Sequence, residues 1–408
     1  MLSEEPCVVV GAGPMGLTAA VAMRRWGVPV LLVEAEPQQR VRPGSRAIGI
    51  APPVLGRYNT IMPGLGDTIS RTGIPMRSGH TFYEGRRVFR TPNPKVGPFH
   101  VFGTNLPQRM VEEILLKEAV AQGVQVRWDT AVTGVETSGT GVRVELATGE
   151  AITTPYVIGA DGARSVVRRA IGATLEGVTD ETPFVIADVD EHPDGTTPAM
   201  PAAFHYRHPG LLGRNVLLLP FATGLRLDLE CLPDDDVEYL SSPDGVREWV
   251  SMIVDPWHAE PEHVQWVSVY KFRQSVASTY TDPHRRVLLA GEAAHVFAPW
   301  GARGLNSGVF DASDAAEAIH IALRSTDPEH ARQAIDRCAV RRRAWGLHNR
   351  DISGRGLRIL RGNDPAMRRG RAFAARVAPY FPPAGMWLAN GPIKIPVPRR
   401  RHGRWGSY

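Results

Sequence analysis

Residues 6–34 read PCVVVGAGPMGLTAAVAMRRWGVPVLLVE, an order of residue types that predicts a strand, a glycine-rich turn, a helix and a second strand. The apolar run at 7–10 has the length of a buried parallel strand. Good helix formers continue to Gly27, and a second apolar run at 28–33 ends at Glu34, whose carboxylate is placed to accept hydrogen bonds from a ribose diol. This order is typical of a βαβ unit that binds a dinucleotide.

The turn supplies a physical role for each of its residues. Gly11 permits the tight bend, Gly13 lets a pyrophosphate approach the backbone, and Gly16 lets the helix pack closely on the strand. Pro14 and Met15 open the helix, where free N–H groups and the helix dipole favour an anion. A lone Gly-x-Gly-x-x-Gly also occurs in ordinary turns, so the prediction depends on the complete strand, turn, helix and strand.

Length and composition limit the class of protein. A chain of 408 residues predicts two joined domains, and three isolated cysteines without a CxxC pair argue against a disulfide framework and a structural zinc site, which favours the cytoplasm. We expect no metal. No apolar run has the length of a membrane span. The net charge of +5 is modest, and the basic C-terminal region lacks the interleaved aromatic platform of a nucleic-acid binder, so we expect neither nucleic acid nor membrane as a partner.

Two segments after Glu34 carry polar candidates. Arg42 and Arg46 lie in a basic loop punctuated by glycine and proline, where they could pair with phosphates or simply be solvated. Residues 62–103 are predicted to form hairpins, a small β-rich excursion. A helix follows from Pro107, and Gln108 and Arg109 lie in its first turn, where a side chain can reach a ligand, although such residues are usually only solvated.

Later stretches repeat the pattern of a buried strand followed by glycine and a carboxylate. The first reads Gly159-Ala160-Asp161-Gly162, where Asp161 could face a ligand or cap the next helix. The second places Gly291 and Glu292 after a strand, ahead of a glycine cluster at 301–308 and a helix at about 309–323, which predicts an anion-binding nest. His295 lacks partners at metal-ligand spacing, so a core or supporting role is expected.

Taken together and in this order, the three motifs resemble the single-component FAD-dependent aromatic hydroxylases, the group that contains para-hydroxybenzoate hydroxylase and phenol hydroxylase. The resemblance covers the chain to about Leu323. It implies an α/β fold: a Rossmann-like FAD-binding domain with an inserted β-rich substrate domain and C-terminal helices. The boundaries expected are 1–181 and 282–330 for the FAD-binding domain, 182–281 for the substrate domain, and 331–408 for C-terminal helices and a basic, flexible tail.

The resemblance also implies residue roles. The first loop and Glu34 would hold the ADP half of FAD, Arg46 would face FAD and the passing nicotinamide, and Asp161 would serve both. The remaining roles are Gln108 or Arg109 on the flavin side, Glu292 on the ribityl chain, Pro299 at the reacting face, and the backbone of Gly304, Leu305 and Asn306 at the flavin pyrimidine edge. Glu292 is a departure, because the family usually has Asp there, and the added methylene bears on FAD affinity.

The implied activity is hydroxylation of a phenolic or other electron-rich aromatic ring by a flavin C4a-hydroperoxide, formed from O2 after NAD(P)H reduces FAD. The partners implied are a small aromatic substrate and O2, and a homodimer is compatible with them. A His or Tyr suits removal of a phenol proton, which makes His205 and Tyr206 candidates beside the alternative of a purely structural or solvated position. An epoxidase, a Baeyer–Villiger-type oxygenase and a non-oxygenating FAD-binding redox or regulatory protein remain alternatives.

Overall fold

A computed structural model describes residues 5–40, 47–76, 78–180, 182–299 and 301–390. Arg42, Arg46 and the basic tail predicted after residue 391 therefore lie outside the described residues. The strands are β1 (Cys7–Val10), β2 (Val30–Val33), β3 (Ala47–Ile50), β4 (Ser78–Tyr83), β5 (Arg86–Pro92), β6 (Lys95–Val96), β7 (Phe99–His100), β8 (Thr104–Pro107), β9 (Gln125–Arg127), β10 (Val132–Thr137), β11 (Val142–Leu146), β12 (Ala151–Thr154), β13 (Val157–Gly159), β14 (Leu175–Thr179), β15 (Phe184–Asp190), β16 (Ala202–Tyr206), β17 (Val216–Phe221), β18 (Gly224–Glu230), β19 (Val264–Tyr270), β20 (Arg273–Ala277), β21 (Val287–Leu289) and β22 (His295–Val296).

The helices lie between and after these strands, and the two longest, α8 and α9, follow the last strand. They are α1 (Pro14–Arg25), α2 (Pro52–Ile61), α3 (Leu65–Thr72), α4 (Gln108–Ala121), α5 (Val166–Ala170), α6 (Val237–Ser241), α7 (Pro243–Ser251), α8 (Arg303–Arg324), α9 (Pro328–Arg361), α10 (Pro365–Val377) and α11 (Pro382–Asn390). None of these helices combines the length and the apolar character needed to cross a bilayer.

A five-stranded parallel sheet forms the first core, in the order β21-β13-β1-β2-β9. Every residue of β1 and β2 is buried, as their continuous apolar runs require of strands covered on both faces. α1 packs against α8 and α4 over this sheet. The predicted Rossmann-like unit is confirmed, and the three motifs follow the carboxyl ends of the adjacent strands β1, β13 and β21.

A second, seven-stranded sheet has the order β19-β15-β18-β17-β16-β4-β5 and is antiparallel except between β16 and β4. The predicted excursion at 62–103 thus contributes β4 and β5 to the same sheet as the strands of 182–281. Part of that excursion is helical, contrary to the hairpin prediction, because Leu65 and Ile69 at helical spacing bury one side of α3.

The two faces of the second sheet have different neighbours. One face buries Val185, Leu227 and Trp249 in a core that α7 closes. The opposite face packs Phe184 and Tyr206 with residues of α9, α10 and α11, and the same cluster includes Ala298 next to Pro299. This second face is therefore turned towards the loop that carries the third motif.

Candidate functional site

The first two motifs touch at the carboxyl ends of β1 and β13. Gly11 has φ +99°, and a Cβ atom at this position would lie 2.6 Å from the carbonyl oxygen of Ala160, so only glycine fits. Gly16 also has no room for a Cβ atom, which would lie 1.7 Å from the carbonyl oxygen of Gly11. These contacts give Gly11 and Gly16 the roles in turn and packing that the sequence predicts.

Met15 joins the first motif to the third. Its side chain occupies the space beside Gly291 and Gly308, where added Cβ atoms would lie 2.5 Å from Cγ and 2.3 Å from Sδ respectively. Arg168 makes a similar link from the second motif, since its guanidinium donates to the carbonyl oxygens of Ala293 and Ala163. Three segments distant in sequence thus come together at the carboxyl edge of the parallel sheet.

Glu34 lies at the end of β2 and faces the first turn. Its Oε2 accepts from the backbone N–H of Ala12 at 2.6 Å and lies 3.1 Å from Nη1 of Arg40. Arg40 also donates to the carbonyl oxygen of Ala12 at 2.8 Å and stacks over the ring of Trp128. Glu34 thus lies at the end of β2 beside the first turn, with Arg40 next to it, and its contact with a ribose stays a prediction.

Gln108 and Arg109 differ in their surroundings. Gln108 is half-buried and donates to Glu112, which also lies 3.5 Å from Arg40. Arg109 is exposed and pairs with Glu113 at 3.5 Å on the outer side of α4. Of the two alternatives, Gln108 is therefore the one on the side of α4 that faces Arg40.

Asp161 caps helix α5 in this structure. Its carboxylate accepts from the hydroxyl of Ser165 and from the backbone N–H groups of Val166 and Val167. These contacts are those of the structural alternative. A contact of Asp161 with a cofactor stays a prediction.

The third motif forms a tight turn with an exposed carboxylate. Gly291 has φ +62°, and its N–H donates to Asp311 at 3.3 Å, while the side chain of Glu292 is exposed at the cleft. Pro299 is exposed on the following loop, whose neighbour Ala298 is anchored through its carbonyl oxygen by the hydroxyl of Ser353.

Helix α8 begins six residues earlier than predicted, because Ala302 adopts a left-handed conformation, with φ +52°, that turns the chain directly into the helix. Gly304 and Leu305 are half-buried in its first turn, and nothing lies within 4 Å of a Cβ atom built on Gly304. Asn306 is buried and holds β3, accepting from the N–H of Ala51 at 2.9 Å and donating to the carbonyl oxygen of Gly49 at 2.7 Å. The helix N-terminus is therefore open to a ligand and fixed to β3.

A buried cluster of ionic side chains supports the third motif. Asp311 on α8 accepts from Arg342 of α9 at 2.7 Å and is hydrogen-bonded to His295 at 2.6 Å. Although burial opposes ionisation, the nearby Arg342 and then His295 lower the pKa of Asp311 below its usual value. The expected supporting role fits His295, whereas Asp311 and Arg342 had no signal in the sequence beyond their place on helices.

His205 and Tyr206 point to opposite faces of β16. His205 stacks on Phe82 with ring centroids 4.4 Å apart, and burial together with His208 lowers its pKa to about 4. Tyr206 is fully buried, donates to the carbonyl oxygen of Leu388 at 2.9 Å, and has a raised pKa because of burial. Both environments are those of structural residues, and a substrate contact for either stays a prediction.

An ion pair missed by the sequence analysis faces the cofactor-binding half. Arg226 and Asp228 on β18 pair at 2.7 Å, and Arg226 also reaches the carbonyl oxygen of Ala47, the first residue of β3, at 3.4 Å. Burial opposes the charge of Arg226, but Asp228 and Asp188 raise its pKa. The alternation of apolar and polar residues at 225–230 could have located this face, though not what lies opposite it.

These residues fit the ADP half and the ribityl and pyrimidine portions of FAD. The glycine turn leaves the backbone of Gly11 and Gly13 partly accessible beside the start of α1, and the Glu34 carboxylate lies against this turn. The side chain of Glu292 is exposed, and Gly304 and Leu305 are half-buried in the first turn of α8. Among the described residues, no group of His, Cys, Asp and Glu could hold a metal ion.

Comparison with known proteins gives a consistent result. The sequence model of the family described as "FAD binding domain" matches residues 4–345. A 3-(3-hydroxy-phenyl)propionate/3-hydroxycinnamic acid hydroxylase from Burkholderia cenocepacia is 28% identical over 317 residues, 76% of this chain and 55% of the relative. A 6-methylpretetramide 4-monooxygenase from Streptomyces rimosus is 28% identical over 348 residues, which are 80% of this chain and 57% of the relative. The chain thus spans little more than half the length of these relatives.

Solved structures share the fold. A p-nitrophenol 4-monooxygenase from Pseudomonas putida superposes with a TM-score of 0.77 at 23% identity, covering 95% of this chain and 97% of the other. The flavin-dependent monooxygenase PieE, solved with FAD and substrate, gives a TM-score of 0.72 at 24% identity, covering 92% and 72%.

Proposed function

Because the chain belongs to the FAD binding domain family, we propose that it is an FAD-dependent monooxygenase that hydroxylates a phenolic or other electron-rich aromatic compound with NAD(P)H and O2. The observation that carries the proposal is the meeting of three motifs at one cleft edge, with Met15 packed against Gly291 and Gly308. The hydroxylases and monooxygenases among its relatives favour this activity over other flavin chemistry.

The cofactor would be held along this edge. Glu34 would accept from the adenosine ribose, the N-terminus of α1 would face the pyrophosphate, and Glu292 would accept from the ribityl chain. Bound FAD supplies electron acceptance from NAD(P)H and activation of O2. The N-terminus of α8 at Gly304 would stabilise negative charge at the pyrimidine edge, because its N–H groups and helix dipole point there without a competing side chain.

The aromatic substrate would lie between the loop of Pro299 and the second sheet. The sheet face beside Ala298 is apolar around Phe184 and Phe204, which suits an aromatic ring and excludes water. Arg226 and Asp228 would form the polar wall nearest β3, where Asp228, paired with Arg226 at 2.7 Å, would accept from a substrate hydroxyl. His205 and Tyr206 would support this sheet from within its cores.

Substrate-stimulated consumption of NAD(P)H tests the proposal. The FAD-loaded protein would be incubated with NADH or NADPH and a panel of phenols, aromatic acids and polycyclic phenolics, while hydroxylated product and hydrogen peroxide are measured together. We expect at least one compound to accelerate oxidation many-fold and to be recovered with an added hydroxyl group. Failure of every compound to stimulate oxidation despite bound FAD, or stimulation that yields peroxide alone throughout, would contradict a hydroxylase for this class of substrate.

A further inference from the structure

The C-terminal part of the chain carries a net positive charge, whereas the rest of the chain carries a net negative charge. Residues 365–408 contain nine of the 47 Lys and Arg and none of the 42 Asp and Glu, so this segment carries +9 and the preceding 364 residues carry −4. Such separation is large for a protein whose net charge is only +5. The described part of the segment, residues 365–390, contains four of these arginines, of which Arg368, Arg369 and Arg376 are exposed.

The same segment exposes large apolar side chains. Phe373 is 68% exposed, Tyr380 89% and Phe381 57%, and Met386 and Trp387 are each 37% exposed. Isolated exposed apolar residues are ordinary on protein surfaces. Five within 15 residues, on the contacting helices α10 and α11 and in the turn between them, form an exposed apolar patch of the kind that marks an interaction site.

The cationic and aromatic residues share one surface. Arg369, Phe373 and Arg376 follow one another at intervals of four and three residues, which places them on one side of α10, and Tyr380 lies in the turn that directly follows this helix. The ring of Trp387 reaches this side, since a Cβ atom on Gly370 would lie 4.0 Å from it. We call the surface of these residues and Phe381 the aromatic-basic face.

The opposite side of α10 and α11 packs closely against the rest of the protein. Arg371 is buried and donates to the carbonyl oxygen of Leu360 at the end of α9, and its guanidinium stacks over Tyr206. A Cβ atom on Gly385 would overlap the ring of Phe89 on β5. The aromatic-basic face is therefore held outward by packing, and its exposure does not result from loosely attached helices.

We propose that the aromatic-basic face binds the surface of an anionic lipid membrane. Arginines beside exposed Phe, Tyr and Trp match the interfacial region of a bilayer, where aromatic rings lie at headgroup level and cations meet anionic headgroups. A second copy of this chain would bring the two sets of arginines together without a carboxylate from the segment to offset them. The binding is peripheral, so it needs no membrane-spanning helix. It revises two expectations drawn from the sequence: that there is no membrane partner, and that the basic C-terminal region lacks aromatic residues interleaved with its arginines.

Sedimentation of the full-length, FAD-loaded protein with lipid vesicles tests this proposal. Vesicles of equal parts phosphatidylglycerol and phosphatidylcholine would be compared with vesicles of phosphatidylcholine alone, at low and high salt. We expect binding to the anionic vesicles only, weakened by salt because exposed charges are screened. Arg369→Gln with Arg376→Gln should lower the partition coefficient about 30-fold, at about fivefold for each arginine removed, and Phe373→Ser with Tyr380→Ser should lower it comparably.

Matched pairs elsewhere control for net charge and apolar area. Arg143 and Arg247 are exposed on other surfaces, so Arg143→Gln with Arg247→Gln makes the same charge change and should bind vesicles as the wild type does. Val178→Ser with Leu212→Ser removes apolar residues that are 69% and 80% exposed and should do the same. Unchanged FAD content and thermal midpoint would show that each variant is folded.

Several outcomes would overturn the proposal. One is that the wild type does not bind anionic vesicles. Another is that substitutions on the aromatic-basic face weaken vesicle binding no more than the control substitutions do. A wild-type dimer that Phe373→Ser with Tyr380→Ser converts to a monomer, without vesicle binding, would assign the face to a second copy. Binding to duplex DNA in place of vesicles would assign it to nucleic acid.

Discussion

At the scale of single residues, Glu34 offers a direct test of the cofactor site. Glu34→Gln keeps the size of the side chain but removes the charge that faces Arg40 and the ribose position. We expect FAD affinity to fall about tenfold or more, the usual effect of losing a charge-assisted hydrogen bond. The dissociation constant can be measured by the quenching of FAD fluorescence.

Glu36 is the matched control for this change. It also contacts Arg40, at 3.4 Å, but its side chain is 49% exposed and lies outside the turn. Glu36→Gln should bind FAD nearly as the wild type does. Equal losses in the two variants would mean that the carboxylates act only through Arg40, and that Glu34 does not meet the ribose.

Asp311 is expected to matter for stability. Asp311→Asn removes the buried charge that Arg342 and His295 share, which should lower the free energy of unfolding by about 3 kcal/mol. Asp336→Asn breaks the half-exposed pair with Arg285 and should cost less than about 1 kcal/mol. Urea unfolding of both variants measures the difference, and similar losses would contradict a supporting role for the buried cluster.

The pH dependence of stability follows from two of these groups. The lowered pKa of Asp311 means that its contribution to stability is present above the ordinary Asp pKa and is lost as the pH falls through the folded value. His205 has a folded pKa of about 4 against an ordinary 6.5, so protonation favours the unfolded chain, and stability falls as the pH drops from about 6.5 to 4.

His205→Leu should remove the part of this loss that arises between pH 6.5 and 4. A shift of this size corresponds to up to about 3 kcal/mol at the acidic end of the interval. The measurement is urea unfolding of wild type and variant at several pH values. Parallel stability curves would show that His205 is not held neutral by its contacts with Phe82 and His208.

At the scale of elements, α11 is tied to the second sheet through Tyr206. Tyr206→Phe deletes the hydroxyl that donates to Leu388, so we expect a loss of about 1 kcal/mol in stability and nearly unchanged turnover. Stability and kcat with a phenolic substrate should be measured together. A large loss of kcat at unchanged stability would instead indicate that Tyr206 contacts the substrate and accepts its proton.

Elements with continuous local signals could be predicted from the sequence. The apolar runs at 7–10 and 28–33, with the glycine turn between them, contain the whole βαβ signal. The boundaries of β1, α1 and β2 lie within two residues of those predicted. The start of α8 could not be predicted, because it depends on the left-handed conformation of Ala302 and on hydrogen bonds from Asn306 to β3, which lies more than 250 residues away in sequence.

The pairing of distant elements escaped prediction for the same reason. Nothing local in β4 and β5 indicates that β4 pairs with β16 in the second sheet. Within the candidate site, the local geometry was predicted best where one motif contains it entirely, as in the turn and packing of Gly11 and Gly16. Arg40, Asp311 and Arg226 were missed, because their roles come only from partners that folding brings near.

At the scale of the whole molecule, two sheets meet around β3. Asn306 fixes β3 to the start of α8, and Arg226 contacts the same strand from the second sheet. The proposed cofactor site and the proposed substrate site therefore both border β3. Ala298, at the apolar face of the second sheet, and Gly304, in the half-buried first turn of α8, are only six residues apart in the chain, so the proposed substrate and cofactor sites adjoin.

The most direct test of the proposed activity is to follow the oxygen atom. FAD-loaded protein would turn over the best substrate of the phenol panel with NAD(P)H under 18O2, and the product would be analysed by mass spectrometry. Our account predicts one labelled oxygen atom in the new ring hydroxyl group for each substrate consumed. Product that carries unlabelled oxygen from water, or NAD(P)H oxidation in which all label appears in hydrogen peroxide, would contradict it.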